Sequence, residues 1–345
     1  MPLAQNDYRW DVLGHSQTGA SHVRQGLPNQ DAINWHVESD CAPPTILAVA
    51  DGHGSARSFR SDIGARLATD AAVEIAQEFF GRIRGDAPTA VKSAAEHIPP
   101  QIIRTWRDRV AEHLRQHPFT EVELERLSRE VGSPARDRAA GGEQPLLAYG
   151  STLLLAILGN HFLICFQLGD GDILAVDDAT GEVRRVVPRD ESHIANETTS
   201  LCQEPPPRYI PNGFQTFQNR PPGLVILATD GYANSFASPE AFLRVGTDYL
   251  EMLRVDGRAA VEQGLYEWLG EASRDGSGDD ITLGIIYRCQ PPLIKPTGQI
   301  VPPRRSTPQL AERVEQAGKE AIANHLDLAS GAEPSVAESG HQSGE

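Results

Sequence analysis

The sequence has 345 residues, 39% of them hydrophobic, which is enough for one large globular domain or two smaller ones. Its 31 Lys and Arg residues against 47 Asp and Glu residues give a formal net charge of -16. This negative charge argues against nucleic-acid binding, because that function needs a basic surface. A protein or a small molecule is the expected partner.

The first residues and the cysteines predict a soluble cytoplasmic protein with no membrane partner. The chain does not begin with a basic segment followed by an apolar one, so no secretory signal is predicted. No apolar run approaches the roughly 18 residues of a membrane-spanning helix. The cysteines are scattered singly, without the spacing of a zinc site or a disulfide framework, and are expected to be reduced thiols: Cys41, Cys165, Cys202 and Cys289.

Short apolar runs bounded by turn residues predict strands in chain order. These runs are residues 45–50, 152–158, 162–168, 172–176, 224–229 and 281–287. The connections at residues 159–160 and 169–171 are short and polar, which favours antiparallel hairpins over parallel crossovers. We therefore expect a mostly antiparallel sheet.

Apolar residues at helical spacing predict four helices, at residues 62–80, 101–115, 239–253 and 259–269. Ser238 can cap the third of these helices, and Pro239 suits its first turn. Together with the strands, the helices give an α+β fold.

Three further stretches are irregular in composition. Residues 131–144 are interpreted as an exposed loop, and residues 178–223, with several prolines, as a long surface excursion. Residues 290–307 carry Pro-Pro pairs and are interpreted as a linker, followed by an amphipathic helix at residues 309–328 and a polar, disordered end.

Acidic residues adjoin predicted strands at four places. Asp51, Asp170 and Asp230 each follow a strand, and Asp279 precedes one. A single Asp-Gly pair is a common turn signal, but four carboxylates at one rim of a sheet would repel one another unless cations lay among them. Oxygen ligands without a Cys or His cluster select Mg²⁺ or Mn²⁺. Two such ions can share a carboxylate and a water and lower the pKa of that water, which suits phosphoester hydrolysis.

Six short motifs occur in a characteristic order, namely Asn29-Gln30-Asp31-Ala32, Val49-Ala50-Asp51-Gly52-His53-Gly54, Gly150-Ser151-Thr152, Leu168-Gly169-Asp170, Ala228-Thr229-Asp230-Gly231 and Gly278-Asp279-Asp280-Ile281-Thr282. Through them the chain resembles, from about residue 7 to residue 288, the metal-dependent serine/threonine protein phosphatases of the 2C type, and in particular bacterial members.

The resemblance implies a fold and a domain organisation. Two packed, mostly antiparallel β-sheets flanked by helices would form a four-layer sandwich. The catalytic domain would span residues 7–289, with residues 178–223 as a flap-like excursion beside the active site. Residues 290–345 would be a Pro-rich linker and a tail, part helical and otherwise disordered, that docks a partner.

The resemblance also implies roles for individual residues. Asp51 would bridge two ions, Mn²⁺ or Mg²⁺, with the Gly52 carbonyl as a further ligand. Asp230 and Asp279 would complete the shell of one ion, and Asp170 lies where some bacterial members hold a third. A hydroxide bridging the metals would attack phosphoserine or phosphothreonine, and His53 would protonate the leaving oxygen. Bracing the loop is the alternative role for His53.

The sequence departs from the family pattern around these residues. Gln30 stands where many members have Glu, so it would orient metal-bound water without adding charge, and Asp31 would orient the same water shell. Arg24 is the candidate for binding the substrate phosphate, with a solvated surface arginine as the alternative. Asn234 replaces an acid often found near the third metal. Asp280 replaces a more usual Asn and is expected to accept hydrogen bonds.

The resemblance implies phosphorylated proteins as substrates and an opposing serine/threonine kinase. Four arginines of the excursion are candidates for meeting an acidic phosphoprotein, with solvated loop charge as the alternative: Arg184, Arg185, Arg189 and Arg208. Three other functions stay open. They are an inactive phosphatase-like scaffold, a phosphoesterase acting on a small metabolite, and a subunit that docks partners through the helix at residues 309–328.

Overall fold

The computed structural model describes residues 8–83, 87–188, 199–207, 210–217 and 220–289. Within these ranges all strand pairs are antiparallel and form two five-stranded sheets. The strands are β1 (Trp10–Gln17), β2 (Ala32–His36), β3 (Thr45–Ala50), β4 (Leu153–Leu158), β5 (Phe162–Leu168), β6 (Asp172–Asp177), β7 (Val183–Arg185), β8 (Asn212–Thr216), β9 (Pro222–Ala228) and β10 (Ile281–Arg288).

The first sheet has the strand order β1-β10-β9-β6-β7, and the second has the order β2-β3-β4-β5-β8. Their inner faces pack against each other through apolar side chains such as Trp10, Leu47 and Val225, none of which is exposed. Every residue of β3, β4 and β5 is buried. Because these strands are covered on both faces, their sequences are continuous apolar runs without alternation.

Helices cover both outer faces of the pair of sheets. They are α1 (Ala20–Gln25), α2 (Ser61–Arg82), α3 (Pro88–Ala95), α4 (Ile98–Gln116), α5 (Glu121–Val131), α6 (Ser133–Ala140), α7 (Asp230–Ala233), α8 (Pro239–Val255) and α9 (Arg258–Ala272). α2 and α4 pack on the second sheet, and α8 and α9 pack on the first. The resulting order of helices, sheet, sheet and helices confirms the expected α+β four-layer sandwich.

The apolar runs predicted six of the strands to within two residues of their observed ends. The connection at residues 159–160 is a hairpin, because β4 pairs with β5. The hairpin expected at residues 169–171 is wrong: β5 and β6 lie in different sheets, and β6 pairs with β7 and β9. Both strands are apolar on both faces, so either pairing satisfies their sequences. Three residues are enough to cross between sheets about 10 Å apart.

The expected loop at residues 131–144 is also wrong, because it contains α6 and the last residue of α5. Thr120 and Glu123 form a reciprocal capping box at the start of α5. Arg136 of α6 forms an ion pair with Glu121 of α5 at 2.5 Å. Most of the charged residues that suggested a loop therefore lie on α6, which has no buried residue.

The surface excursion at residues 178–223 adds an edge strand to each sheet, β7 and β8. Arg189 and Arg208 lie outside the described residues, and so does the predicted linker and tail at residues 290–345. In the described part of the chain, no helix is both long enough and apolar enough to cross a membrane.

Candidate metal centre

A cavity of about 200 Å³ opens at the edge of the sandwich where β3, β5 and β9 end and β10 begins. Four of the carboxylates predicted to bind metal line it: Asp51, Asp170, Asp230 and Asp279. Asp51 follows β3 of the second sheet, whereas Asp230 follows β9 and Asp279 precedes β10 of the first sheet. Asp170 lies in the connection that crosses between the sheets. The topology therefore gathers carboxylates that are far apart in sequence.

Backbone contacts hold the loop that carries Asp51. The Asp51 amide donates to Thr152 Oγ1 at 2.9 Å, and the Thr152 amide donates to the Asp51 carbonyl at 2.8 Å. One residue further, the Gly52 amide donates to the Gln30 carbonyl at 3.1 Å. The motifs recognised separately in the sequence thus brace one another at the cavity.

Two glycines permit close approaches at this loop. A Cβ atom on Gly52 would lie 2.5 Å from the Gln30 carbonyl oxygen and 2.8 Å from that of Ser61. A Cβ atom on Gly150 would lie 2.5 Å from the ring of His53. Since backbone oxygens cannot move aside cheaply, only glycine fits at residue 52.

Three carboxylates crowd the cavity. Each of Asp51, Asp170 and Asp230 has an oxygen within 4.8 Å of the other two. Burial raises the pKa of Asp51 well above its usual value, and the charges of Asp31 and Asp230 raise it further. Burial and the charges of Asp170 and Asp279 also raise the pKa of Asp230. A group of this kind is stabilised by a divalent cation, so the residues fit such an ion.

Asp279 and Asp31 differ from these three in position. Asp279 lines the cavity, but its side chain is about half exposed and lies outside the cluster of three. Asp31 is buried beneath the centre and accepts a hydrogen bond from Thr229 Oγ1 at 2.8 Å. Burial, with the nearby charge of Asp280, raises the pKa of Asp31 well above its usual value. Asp31 is therefore placed to support the centre from below.

The Gln30 side chain faces the same cavity. It is buried, and its Oε1 atom has no hydrogen-bond partner among the described residues. A buried amide oxygen without a partner costs free energy, so it is expected to accept a hydrogen bond when the cavity is filled. Orienting a water molecule, the role expected from the sequence, stays a prediction that this position favours.

The sequence reasoning missed His22, which lines the cavity and is buried. Its Nδ1 atom lies 2.8 Å from Asp280 Oδ2, and its Nε2 atom lies 4.0 Å from Asp279 Oδ1. Asp280 also accepts from the backbone amides of Gly19 and Gln30, each at 2.6 Å. A carboxylate can accept all three hydrogen bonds, whereas an asparagine offers one acceptor oxygen. The sequence signal that could have pointed to His22 is the acid at residue 280, where Asn is more usual.

Arg24 lies two residues beyond His22 on α1, but its side chain is exposed and does not line the cavity. Among the residues that the structure describes, the side chains at the cavity that can carry a positive charge are instead His22 and His53. Among the excursion arginines, Arg185 contacts the buried Asp172 at 2.5 Å, and Arg184 bonds to Gln215. Those two arginines therefore hold the edge strands.

His53 lies between the metal cavity and a larger neighbouring cavity of about 660 Å³. Burial lowers the pKa of His53, while the charge of Asp170 acts in the opposite sense. The larger cavity is lined on one side by the residues before β4, including Gln144 and Leu147, and on the other by Ser200, Cys202 and Glu204 of the excursion. Part of the excursion therefore borders the centre.

The α5–α6 segment is tied to the loop that carries His53. The Arg60 guanidinium, which is buried at the start of α2, forms an ion pair with Glu123 of α5 at 2.6 Å. It also donates to the Tyr149 hydroxyl at 2.8 Å, next to Gly150. One buried side chain thus joins α5 to the residues that precede β4.

Comparison with known proteins identifies the family. The family model described as protein phosphatase 2C matches residues 18–270. The chain therefore belongs to the protein phosphatase 2C family, which is metal-dependent and acts on phosphoproteins, and the expected enzyme class, a protein serine/threonine phosphatase, is confirmed. No protein with a curated description matches the chain.

Solved structures of similar fold include the serine/threonine phosphatase Stp1 from Staphylococcus aureus, with 12% identity and a TM-score of 0.50 over 84% of this chain and 99% of that one. The catalytic domain of PstP in complex with two manganese ions shows 16% identity and a TM-score of 0.46, over 82% and 99%. PppA, a regulatory component of a secretion system in Pseudomonas aeruginosa, shows 18% identity and a TM-score of 0.46, over 81% and 98%.

Proposed function

We propose that the chain hydrolyses phosphoserine and phosphothreonine in proteins at a centre of two divalent cations, with His53 as the general acid. The observation that carries the proposal is the convergence of Asp51, Asp170 and Asp230 within 4.8 Å, beside His53. Their mutual repulsion favours cation binding, and their hard oxygen ligands favour Mn²⁺ or Mg²⁺.

The proposed ligands line the cavity. Asp51 would be a ligand of both ions, the Gly52 carbonyl would bind one of them, Asp230 and Asp279 would bind the other, and Asp170 would bind a third ion when one is present. Such ions supply one thing to the chemistry: they lower the pKa of a shared water, so that a hydroxide is available to attack phosphorus near neutral pH.

The chain's own side chains would handle the proton and the substrate. His53 borders both cavities, so its imidazole can reach the oxygen that leaves with the substrate serine or threonine. Because burial lowers the pKa of His53, its protonated form is a stronger acid than an exposed imidazole. Gln30 Oε1 would accept a hydrogen bond from water at the centre. If His53 only braced the loop, another group would have to donate the proton to the leaving oxygen.

His22 would hold the Asp279 ligand. With Nδ1 bonded to Asp280, its ring is fixed in orientation and presents Nε2 to the cavity beside Asp279. Groups that orient metal ligands in this way strengthen metal binding. His22 lines the cavity, whereas Arg24 does not, and the phosphate-binding role of Arg24 stays a prediction.

The substrate chain would lie along the larger cavity and continue toward α5 and α6. Gln144 and Leu147 line both this cavity and a smaller one, which is bordered by Arg57 and Arg138 and by the rings of Phe59 and Phe119. An apolar residue near the phosphorylated one, with an acidic neighbour, would suit these side chains. The opposing kinase would phosphorylate the same segment.

The deciding experiment compares hydrolysis of a phosphothreonine peptide with hydrolysis of a panel of phosphorylated metabolites, in Mn²⁺ and in EDTA. We expect metal-dependent release of phosphate from the peptide and much slower release from the metabolites. Asp51→Asn should abolish the activity, while Arg24→Ala serves as a matched control on an exposed charge. Full activity in EDTA would contradict the mechanism. Faster hydrolysis of a metabolite than of the peptide would show that the substrate is a small phosphorylated molecule and not a phosphoprotein.

A further inference from the structure

A second group of potential ligands lies at the opposite end of the β1–β10 pair. Asp11, Cys41 and Cys289 each present a ligand atom within 4.8 Å of the other two. At the other end of the pair, Gln17 faces Ile281, next to the Asp279-Asp280 pair. Asp11 and Gln17 are six residues apart along β1, which corresponds to about 20 Å. The two groups are therefore separate sites.

The backbone brings the two cysteines together from distant parts of the sequence. The Trp10 amide donates to the Cys41 carbonyl at 2.8 Å, and the Cys289 amide donates to the Arg9 carbonyl at 2.9 Å. Both cysteines are thus held against adjacent residues at the start of β1, Arg9 and Trp10, and their sulfur atoms lie within 4.8 Å of each other. Cys41 and Cys289 are scattered in the sequence, but they are neighbours in the structure.

Asp11 is held in a fixed orientation beside the thiols. Its Oδ1 atom accepts from the Val12 amide at 2.8 Å, and its Oδ2 atom accepts from the Tyr287 hydroxyl at 2.9 Å. Arg258 approaches the same carboxylate at 3.5 Å. Carboxylates at metal sites are commonly oriented by such hydrogen bonds.

We propose that Asp11, Cys41 and Cys289 form a binding site for a thiophilic divalent cation of the Zn²⁺ class, with water as the fourth ligand. Two sulfur ligands and one oxygen ligand select zinc over the Mn²⁺ and Mg²⁺ that suit the catalytic centre. All three side chains are partly exposed, so an ion can enter from solvent. Binding releases the two thiol protons to solvent.

The local charges balance when the ion is bound. Two thiolates and one carboxylate carry three negative charges, which the divalent ion and the neighbouring Arg258 together neutralise. The bound ion joins β1, the loop between β2 and β3, and the residue that follows β10. It therefore stabilises the sandwich at the end of the β1–β10 pair that lies away from the catalytic carboxylates.

Cobalt titration of the reduced, full-length protein tests the site, because thiolate ligation gives Co²⁺ an intense near-ultraviolet charge-transfer band that carboxylates do not give. We expect this band in the wild type and in Asp51→Asn. It should disappear in Cys41→Ser and in Cys289→Ser, and persist in the control Cys202→Ser. Asp11→Asn should shift the titration to higher cobalt concentration. Excess Zn²⁺ should remove the band by displacement.

Mn²⁺-dependent phosphatase activity retained in Cys41→Ser and in Cys289→Ser verifies that these two variants are folded. A wild-type chain without the band, or a band that survives in both serine variants, would overturn the proposal. So would intact-mass and thiol-labelling data that find Cys41 and Cys289 joined in a disulfide in the protein as purified under reducing conditions. A failure of these tests leaves the phosphatase proposal untouched, because that proposal rests on other residues.

Discussion

The two ends of the β1–β10 pair carry ligand groups of different chemistry. At one end, carboxylates surround a polar cavity close to Ile281. At the other end, two thiols and one carboxylate meet beside Trp10 and Arg288. Hard oxygen ligands thus lie near one end of this strand pair and soft sulfur ligands near the other. Ligand type, and not the fold, decides which metal each end selects.

The sharpest test of this difference is Asp51→Asn. We expect phosphopeptide hydrolysis to fall roughly a thousandfold or more, because the ligand between the proposed ions is lost and the amide cannot replace its charge. Steady-state kinetics at saturating Mn²⁺ measures the loss. Cobalt binding at the thiol end should be unchanged. Loss at both ends would show that the two sites are coupled through β1 and β10.

His53→Gln separates proton transfer from metal binding at the catalytic end. We expect kcat for phosphoserine peptides to fall by about 10²-fold or more, because the leaving alkoxide needs a proton. An aryl phosphate, whose leaving group is stable without a proton, should lose far less activity. Equal losses for the two substrates would indicate that His53 braces the loop.

His22→Ala tests whether the structure or the motif register identifies the residue beside Asp279. We expect Mn²⁺ affinity to fall by about 10-fold, because Asp279 loses the group that orients it. Arg24→Ala, on the same helix, should leave Mn²⁺ affinity unchanged. Calorimetric titration measures both affinities. A larger loss of substrate affinity in Arg24→Ala than in His22→Ala would restore the phosphate-binding role to Arg24.

The smallest effect expected concerns the metal-free protein at different pH values. The pKa of Asp51 is raised in the folded chain, so that state holds its proton more tightly than the unfolded state does. The resulting stability is complete below the unfolded pKa, near 4, and is lost as the pH rises through the folded pKa.

In EDTA at pH 7, Asp51→Asn should therefore be more stable than the wild type, by about 1.4 kcal/mol for each unit of the removed shift. The difference should vanish toward pH 4, and saturating Mn²⁺ should reverse it. Urea unfolding across this pH range measures the free energy. A variant that is less stable than the wild type at every pH would contradict the repulsion inferred at the centre.

The parts of the fold that the sequence predicted are those with one dominant local signal. β3, β4 and β5 are continuous apolar runs with turn residues at their ends, and Ser238 caps α8 as its sequence predicts. β7 and β8 are half exposed and lie among prolines, so their sequences carry little strand signal. The passage from β5 to β6 depends on which sheet is nearest, which local residues do not determine.

The candidate site divides in the same way. Asp51, Asp170, Asp230 and Asp279 line one cavity, because each adjoins a strand whose end lies on the same edge. Arg24 was placed by counting residues along the chain, but α1 turns its side chain away from the cavity, and His22 lies there instead. Pairing of Cys41 with Cys289 needs the register of β1 against β10, which is a tertiary property. Spacing in sequence carries no trace of it.

The crossing of the chain from β5 to β6 has a mechanical consequence. Asp51 belongs to one sheet, Asp230 belongs to the other, and Asp170 lies in the crossing itself. Sliding one sheet past the other by a single residue would separate these oxygens by about 3.4 Å, more than the length of a metal–oxygen bond. Ions bound here would hold the two sheets in alignment, because their ligands come from both sheets. Catalytic activity would therefore depend on the alignment of the two sheets. A distant substitution that shifts this alignment would inactivate the enzyme while leaving each sheet intact.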